Sequence, residues 1–202
     1  MKLYKFRSLE NFKYTADIIL NNRLYAADFE TMNDVMEGIF WHEGIADDIL
    51  AEIRNTKKKL KICSMSQEKA FSSPLMWAHY ADNFRGVCLE FGVDKSKVDV
   101  HEITYDDKSL KLILSQDRTN IDDKSAKVLL CKKYSDWEYE KECRIFSKEE
   151  YISDGIELKK IYLGVRISRT HKDELYKLIE DKNIDIIETD FDGMGKVIEC
   201  SS

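Results

Sequence analysis

Short segments in which apolar and polar residues alternate recur along the chain and predict β-strands, because neighbouring side chains on a strand point to opposite faces. The predicted strands cover residues 3–7, 23–27, 60–65, 86–91, 101–105, 138–146, 159–165, 184–189 and 196–200. The pair Gly193 and Gly195 lies between the last two strands and predicts a hairpin turn. The pattern therefore indicates a sheet built from many short strands.

Between these strands the apolar residues recur with helical spacing, and polar capping residues mark where helices begin. The predicted helices cover residues 8–20, 33–58 with interruptions, 74–81, 108–116, 122–130 and 170–181. Ser8, Pro74 and Thr170 are the expected starting residues of three of them. Strands and helices in mixed order predict an α+β fold, a mixed β-sheet flanked by helices.

Composition limits the number of domains and the compartment. The chain has 202 residues, 43% of them hydrophobic, with a single proline and eight glycines, so we expect one domain over residues 1–202. It contains no apolar run long enough to cross a membrane and opens without a signal-peptide pattern, which predicts a cytoplasmic protein with no membrane partner. Its net charge of -6 argues against non-specific coating of nucleic acid but allows a local basic cleft.

The five cysteines predict neither disulfides nor a metal centre. Their number is odd, they are widely spaced, and no histidine stands near them at zinc-ligand spacing. Cys63, Cys88 and Cys131 lie within apolar segments, where a reduced cysteine packs like a small hydrophobic residue.

Two polar clusters in the first half of the chain are candidate binding elements. Tyr4 and Arg7 lie on the first predicted strand, where Arg7 either binds an anionic ligand group or pairs with an acidic neighbour. Asn33, Asp34 and Glu37 lie where a loop meets a helix, and they either cap that helix or present polar groups to a ligand.

A third cluster combines Trp77, His79 and Tyr80 within two helical turns. Histidines on such helices are commonly core residues, but the neighbouring rings also offer a surface on which a planar ligand ring can stack. His79 is therefore a candidate catalytic residue, and Trp77 and Tyr80 are candidate ligand-binding residues.

The fourth cluster is acidic and belongs to the strand predicted over residues 138–146. In a strand, Glu138, Glu140, Glu142 and Arg144 project to one face. That face is either solvated, or it turns a glutamate inward beside Arg144, where its pKa shifts and suits it to acid–base work or to stabilising a cation. Glu140 and Glu142 are the candidate catalytic carboxylates, and Arg144 is a candidate ligand contact.

The order and spacing of several segments resemble a bacterial family known as domain of unknown function 2971. The segments are LYKFRSL, IILNNRLYAADFETMNDVMEG, ICSMS, PLMWAHYADNFRGVCLEF, WEYEKECRIF and KKIYLGVRIS. The block from Met76 to Phe91 is the most specific of them. Val35 departs from the family, which often has proline after the Asn-Asp pair.

A more remote similarity links the order of these elements to ADP-ribosyltransferases of the DarT type, which cleave the nicotinamide glycosidic bond of NAD. The resemblance implies NAD as the nucleotide, a nucleic-acid or protein acceptor, and a role in toxin or phage-defence systems. It implies that Arg7 contacts the diphosphate, that Tyr80 or Trp77 stacks on nicotinamide, and that Glu142 or Glu140 is the catalytic glutamate.

Two other classes of function stay open on the sequence. One is a metal-dependent hydrolase or nuclease, with ligands drawn from Asp34, Glu37, His79, Glu140 and Glu142. The other is a non-catalytic nucleotide-binding or regulatory module, in which the aromatic block forms a pocket or core without turnover. The oligomeric state is not predicted.

Overall fold

The computed structural model describes residues 1–32, 47–106 and 122–200. Within them the chain forms a mixed sheet of nine strands with helices packed on it, and so the predicted α+β fold is confirmed. In the described segments no helix has both the length and the apolar character needed to cross a membrane.

The strands and helices are short, as the sequence pattern predicts. The strands are β1 Lys2–Arg7, β2 Leu24–Tyr25, β3 Ala27–Asp28, β4 Lys61–Ser66, β5 Val87–Val93, β6 Asp99–Glu102, β7 Thr104–Tyr105, β8 Lys132–Lys133, β9 Glu142–Ser147, β10 Tyr151–Ile152, β11 Ile156–Leu163, β12 Asp185–Phe191 and β13 Val197–Glu199. The α-helices are α1 Phe12–Asn21, α2 Asp47–Lys58, α3 Pro74–Tyr80, α4 Asp123–Leu129 and α5 Arg169–Leu178, and 3-10 turns cover Phe29–Thr31, Glu68–Ala70 and Ser135–Glu140.

The main sheet has the strand order β13-β12-β11-β5-β1-β4-β9-β6, with β3 also paired to β4. Strands β11 and β12 are parallel and are connected through α5, while the other pairs in the sheet are antiparallel. Two small ladders lie outside it, β2 with β10 and β7 with β8.

Helices cover both faces of the sheet, and alternation along β1 shows which residues belong to which face. Leu3 points to the face covered by α1 and α5, where Ile18, Ile19 and Leu175 share its core. Tyr4 and Phe6 point to the opposite face and pack in a second core with Met76 and Trp77 of α3. A third, smaller core beneath α4 includes Ile62, Ala126, Leu130 and Phe146.

The sheet is interrupted at its centre, between β1 and β4. Strand β1 pairs with β5 along its whole length, but its only described pairing with β4 is Tyr4 opposite Ser66. Beyond that pair the Ser64 carbonyl accepts a hydrogen bond from Lys5 Nζ at 2.6 Å. A lysine side chain therefore bridges the interval that a regular ladder would fill.

The strand predicted over residues 138–146 is wrong in its first half. Ser135–Glu140 is a 3-10 turn, Lys141 adopts a left-handed conformation with φ 42°, and the strand begins only at Glu142. On the face opposite the glutamates, Lys141 separates Trp137 and Tyr139 from Cys143, so no continuous apolar face runs through this segment, and burial of such a face is what fixes a strand.

Several predicted boundaries also differ. Helix α1 begins at Phe12, and Ser8 instead accepts a hydrogen bond from the Glu10 amide. Ser168, not Thr170, caps α5 by accepting from the His171 amide at 3.1 Å. The strand predicted over residues 23–27 is split into β2 and β3. The helix predicted at 108–116 lies outside the described residues.

Other local predictions are confirmed. The hairpin between β12 and β13 is closed by a hydrogen bond from the Asp192 amide to the Lys196 carbonyl, and Gly195 has the positive φ of 78° that such turns require. Cys63, Cys88 and Cys131 are buried, as the apolar segments around them predict.

Candidate active-site cleft

A cleft of about 880 Å³ opens where β1 and β4 part. Its walls come from both faces of the sheet, with α1, β2 and β10 on one side and α3 with the Ser135–Glu140 turn on the other. Six candidate residues from distant parts of the sequence line it, namely Tyr4, Arg7, His79, Tyr80, Glu140 and Glu142. A volume of this size is typical of small-molecule sites.

A chain of alternating charges forms the wall on the α3 side. Lys133 Nζ lies 2.6 Å from Glu140 Oε2 and 2.8 Å from Glu142 Oε2. Arg144 Nε lies 2.9 Å from Glu142 Oε1, and the Tyr80 hydroxyl donates to Glu140 Oε1 at the other end of the chain. Two carboxylates and two cations balance one another, which is what permits four ionisable groups to be buried together.

The turn at Lys141 creates this arrangement. In a continuous strand Glu140 and Glu142 would have separate positions along one face, whereas the left-handed residue between them lets both carboxylates reach one ammonium group. The Glu142 amide donates to Tyr105 Oη at 2.8 Å, which fixes the start of β9. Lys133 comes from β8, which pairs with the β7 strand that carries Tyr105.

The charges in this wall are firmly set. Burial would raise the pKa of Glu142, but the positive charges of Arg144 and Lys133 outweigh it and lower that pKa to about 2. Burial would lower the pKa of Lys133, but Glu142 and Glu140 raise it above its ordinary value. Burial and the hydrogen bond to Glu140 raise the pKa of Tyr80, so its hydroxyl remains a proton donor.

The lowered pKa predicts that acid destabilises the protein. Since the folded-state pKa of Glu142 is about 2 and its ordinary value is 4.5, its contribution is complete above the higher value and is lost as pH falls through the lower one. The expected loss is about 3 kcal/mol of unfolding free energy between about pH 5 and pH 2. Urea denaturation across that range measures it.

Glu142→Gln should be less stable than wild type at neutral pH and should lose less stability on acidification. Glu138 is exposed and pairs only with Lys141 among the described ion pairs, so Glu138→Gln should keep the acid dependence of the wild type. Equal pH dependence of wild type and Glu142→Gln would contradict the assigned pKa.

The centre of the cleft contains polar atoms that lack hydrogen bonds. Arg7 Nε and Ser64 Oγ are both buried and have no hydrogen-bond partner among the described residues. Burial lowers the pKa of Arg7, which is the signature of a desolvated cation, although a guanidinium keeps its charge. A buried donor without a partner is costly, so each of these two atoms marks a position in the cleft lining that can accommodate an anionic or polar ligand group.

His79 and Tyr4 occupy different positions in the cleft. His79 is exposed at the mouth, where its Nδ1 lies 3.0 Å from the Tyr139 hydroxyl. Tyr4 directs its hydroxyl away to Glu90 Oε2 at 3.1 Å, a buried carboxylate that also accepts from Tyr162 at 2.8 Å. His79 can therefore contact a bound molecule through its second nitrogen, whereas Tyr4 offers only its ring.

Two candidate residues do not line the cleft. Trp77 is fully buried, with its ring packed edge-on against Phe6 and Phe71 and its Nε1 donating to the Phe71 carbonyl at 2.7 Å, so it cannot stack on a ligand. Arg144 is also fully buried, behind Glu142, and donates to the Leu130 carbonyl. It holds Glu142 instead of contacting a ligand.

Asn33, Asp34 and Glu37 lie outside the described residues.

The cleft is also lined by residues that the sequence did not predict, among them Lys133 and Ser64. Lys133 stands in a Lys-Lys pair that is typical of a solvated surface, and no pattern indicated that its ammonium group would be enclosed by two glutamates. Ser64 was recognised only as a strand residue. The missing hydrogen bond at its hydroxyl depends on the separation of β1 from β4, which no local pattern encodes.

The donor set expected for a metal is only partly within the described residues. Among them, no group of three or more histidine, cysteine, aspartate or glutamate side chains is arranged to hold a metal ion. Glu140 and Glu142 share the Lys133 ammonium, and Arg144 binds Glu142, so cations already occupy the positions that a metal would take.

Residues 76–145 match the model of a family described as protein of unknown function (DUF2971). This match runs from within α3 to within β9 and confirms the family resemblance noted from the sequence. It includes all residues of the acidic wall, which consists of Tyr80, Lys133, Glu140, Glu142 and Arg144. No curated protein and no solved structure matches the chain significantly.

Proposed function

We propose that the cleft binds NAD and cleaves the bond between nicotinamide and ribose, with transfer of ADP-ribose to an acceptor or to water. One observation supports this most: Arg7, which is half-buried and whose buried Nε has no hydrogen-bond partner among the described residues, lines the same cleft as the buried, ion-paired carboxylates of Glu140 and Glu142. The first suits a diphosphate, and the second suits a sugar on which positive charge develops.

Arg7 is the proposed diphosphate contact. Its strand position is fixed by six residue pairs with β5, so the side chain projects from a rigid element. The guanidinium has donors in a planar fork that matches phosphate oxygens, and an anion would supply the partner that Nε lacks.

Glu140 is the proposed carboxylate that contacts the ribose. Arg144 binds both oxygens of Glu142, at 2.9 and 3.3 Å. Glu142 therefore holds the other charged groups of the wall in place and does not itself contact the ribose. Among the described residues Glu140 has no arginine partner, and the described hydrogen bond at its Oε1 comes from the neutral Tyr80 hydroxyl. A ribose hydroxyl can replace that tyrosine hydroxyl at little electrostatic cost, after which the Tyr80 ring can pack beside the leaving nicotinamide.

The proposed chemistry balances without a further reactant. The glycosidic bond breaks with its electron pair moving to the ring nitrogen, so that nicotinamide leaves as a neutral molecule. Positive charge then develops on the ribose beside the Glu140 carboxylate. A nucleophilic oxygen or nitrogen of the acceptor forms the new bond at that carbon and loses its proton, and His79, which lines the cleft and is exposed, is the side chain proposed to accept that proton.

Binding is tested by thermal denaturation of the purified chain with NAD, ADP-ribose, Mg²⁺ or Mn²⁺. NAD at a hundredfold excess over its dissociation constant should stabilise the protein by about 2.7 kcal/mol. Arg7→Met should abolish most of that stabilisation, while Arg169→Met, at an exposed residue on α5, should preserve it. Stabilisation by divalent ions but not by NAD would reject the proposal in favour of metal chemistry.

Catalysis is tested by measuring release of nicotinamide from NAD. Glu140→Gln keeps an acceptor oxygen for Lys133 and offers an amide donor that the Tyr80 hydroxyl oxygen can accept, but it removes the charge, so turnover should fall by about 100-fold with little change in NAD affinity. Glu138→Gln, two residues away and exposed, should remain active. If the wild type binds NAD but releases no nicotinamide in the presence of cell extract as acceptor source, the chain is a binding module.

A further inference from the structure

The cleft contains a cluster of exposed tyrosines on its α1 side, across the sheet from the acidic wall. Tyr14, Tyr25 and Tyr151 all line it, and they expose 52%, 52% and 42% of their surface. They come from α1, β2 and β10, three elements that are separate in sequence. Three large rings left in solvent at one end of a cleft forgo the free energy of burial, which is expected of a surface that a ligand covers.

The two strand tyrosines form a rigid platform. Tyr25 and Tyr151 are directly opposite in the β2–β10 ladder, and their ring centroids lie 5.6 Å apart at 67°. The Arg23 guanidinium lies 3.9 Å from the centroid of the Tyr151 ring. Arg23 is itself held by Asp17 through Nε at 3.0 Å and Nη2 at 2.7 Å. Both the rings and the stacked cation are therefore oriented before any ligand arrives.

We propose that this platform is a nucleobase subsite, which takes the base of a nucleotide whose phosphate reaches Arg7. Tyrosine rings are groups on which nucleobases stack, and the Arg23 guanidinium lies against the Tyr151 ring and orients it. The carboxylates of Glu10 and Asp17 also line this end of the cleft, and Asp17 neutralises Arg23. The subsite therefore suits an uncharged ring at the end of a mono- or dinucleotide, whereas a nucleic-acid strand would place phosphates beside those acids.

This subsite deepens the proposed function, since it assigns the adenine half of NAD to the α1 side and leaves the nicotinamide half for the acidic wall. The two halves of the site are nevertheless separate physical claims. A nucleobase subsite can exist in a cleft that performs other chemistry, and AMP tests it without any turnover.

The experiment compares the affinities of AMP and ribose 5-phosphate, which differ only by the base, in calorimetric titrations. Wild type should bind AMP more tightly than ribose 5-phosphate. Tyr151→Leu keeps an apolar side chain but removes the ring and the Arg23 contact, so AMP affinity should fall by about tenfold. The affinity for ribose 5-phosphate should not change.

Tyr176→Leu is the matched control, because Tyr176 is equally exposed but lies on α5 and does not line the cleft. It should bind AMP as wild type does, and all three proteins should melt at closely similar temperatures. Equal AMP affinity in wild type and Tyr151→Leu would overturn the subsite, as would equal affinity of wild type for the two ligands. Base-dependent AMP binding without any release of nicotinamide from NAD would keep the subsite and reject the proposed reaction.

Discussion

Arg144→Met is expected to lower the free energy of unfolding by about 3–5 kcal/mol. Arg144 is fully buried and binds both oxygens of Glu142, so its removal leaves a buried carboxylate with Lys133 as its only remaining described cation. Lys133 is already shared with Glu140 and cannot balance two negative charges. Urea denaturation at neutral pH measures the loss.

Two further variants test whether the loss of stability comes from the buried charge network. Arg85→Met removes an arginine whose 2.7 Å ion pair with Asp82 is exposed, so it should cost less than about 1 kcal/mol. The double variant Arg144→Met with Glu142→Met removes both charges of the buried pair and should be more stable than Arg144→Met alone. A loss at Arg144 as small as that at Arg85 would show that the acidic wall is not a coupled buried network.

Trp77→Ala is expected to destabilise the protein by about 3–5 kcal/mol, because it leaves a large cavity in the core beneath α3. The ring has no exposed surface, its centroid lies 5.4 Å from that of Phe6, and it stacks at 3° on Phe84. Its Nε1 also satisfies the Phe71 carbonyl. The same denaturation experiment reports the change.

The more informative variant at this position is Trp77→Phe. It retains an aromatic ring in the core and should be destabilised less than Trp77→Ala, and its affinity for NAD should equal that of the wild type. Trp137→Ala removes a partly exposed indole that lines the cleft, so it should cost less stability than Trp77→Ala. If Trp77→Phe is stable but no longer binds NAD, Trp77 stacks on the ligand as the sequence suggested.

The sequence predicted the helix that carries Trp77 and Tyr80, but it did not predict which of the two side chains faces the cleft. The sequence identified a helix after Pro74 with three aromatic or imidazole side chains, and this helix is present. Helical spacing cannot tell which side of so short a helix meets the core, because apolar rings lie all around it. Packing against Phe6 and Phe71 sends Trp77 inward, and only Tyr80 and His79 are left for the cleft.

In the acidic segment, the sequence predicted which residues lie together but not the backbone conformation that brings them together. The sequence indicated that Glu140 and Glu142 belonged together and that Arg144 was close to them, and the 2.9 Å contact between Arg144 and Glu142 agrees with the two-residue spacing on a strand. The strand assumed for Glu140 does not form. Lys133, which is brought in by the β7–β8 ladder, supplies the positive charge that keeps both carboxylates buried.

By itself the sequence determined the α+β class, the buried strands, the helix after Pro74 and the family resemblance, because alternation and capping are local properties of the chain. The tertiary structure decided that β1 and β4 meet at one residue pair, that Arg7 and Glu142 line the same cleft, and that Tyr14, Tyr25 and Tyr151 form its far end. These features depend on contacts between residues far apart in sequence, whose energies are set by packing and by charge compensation in the folded chain.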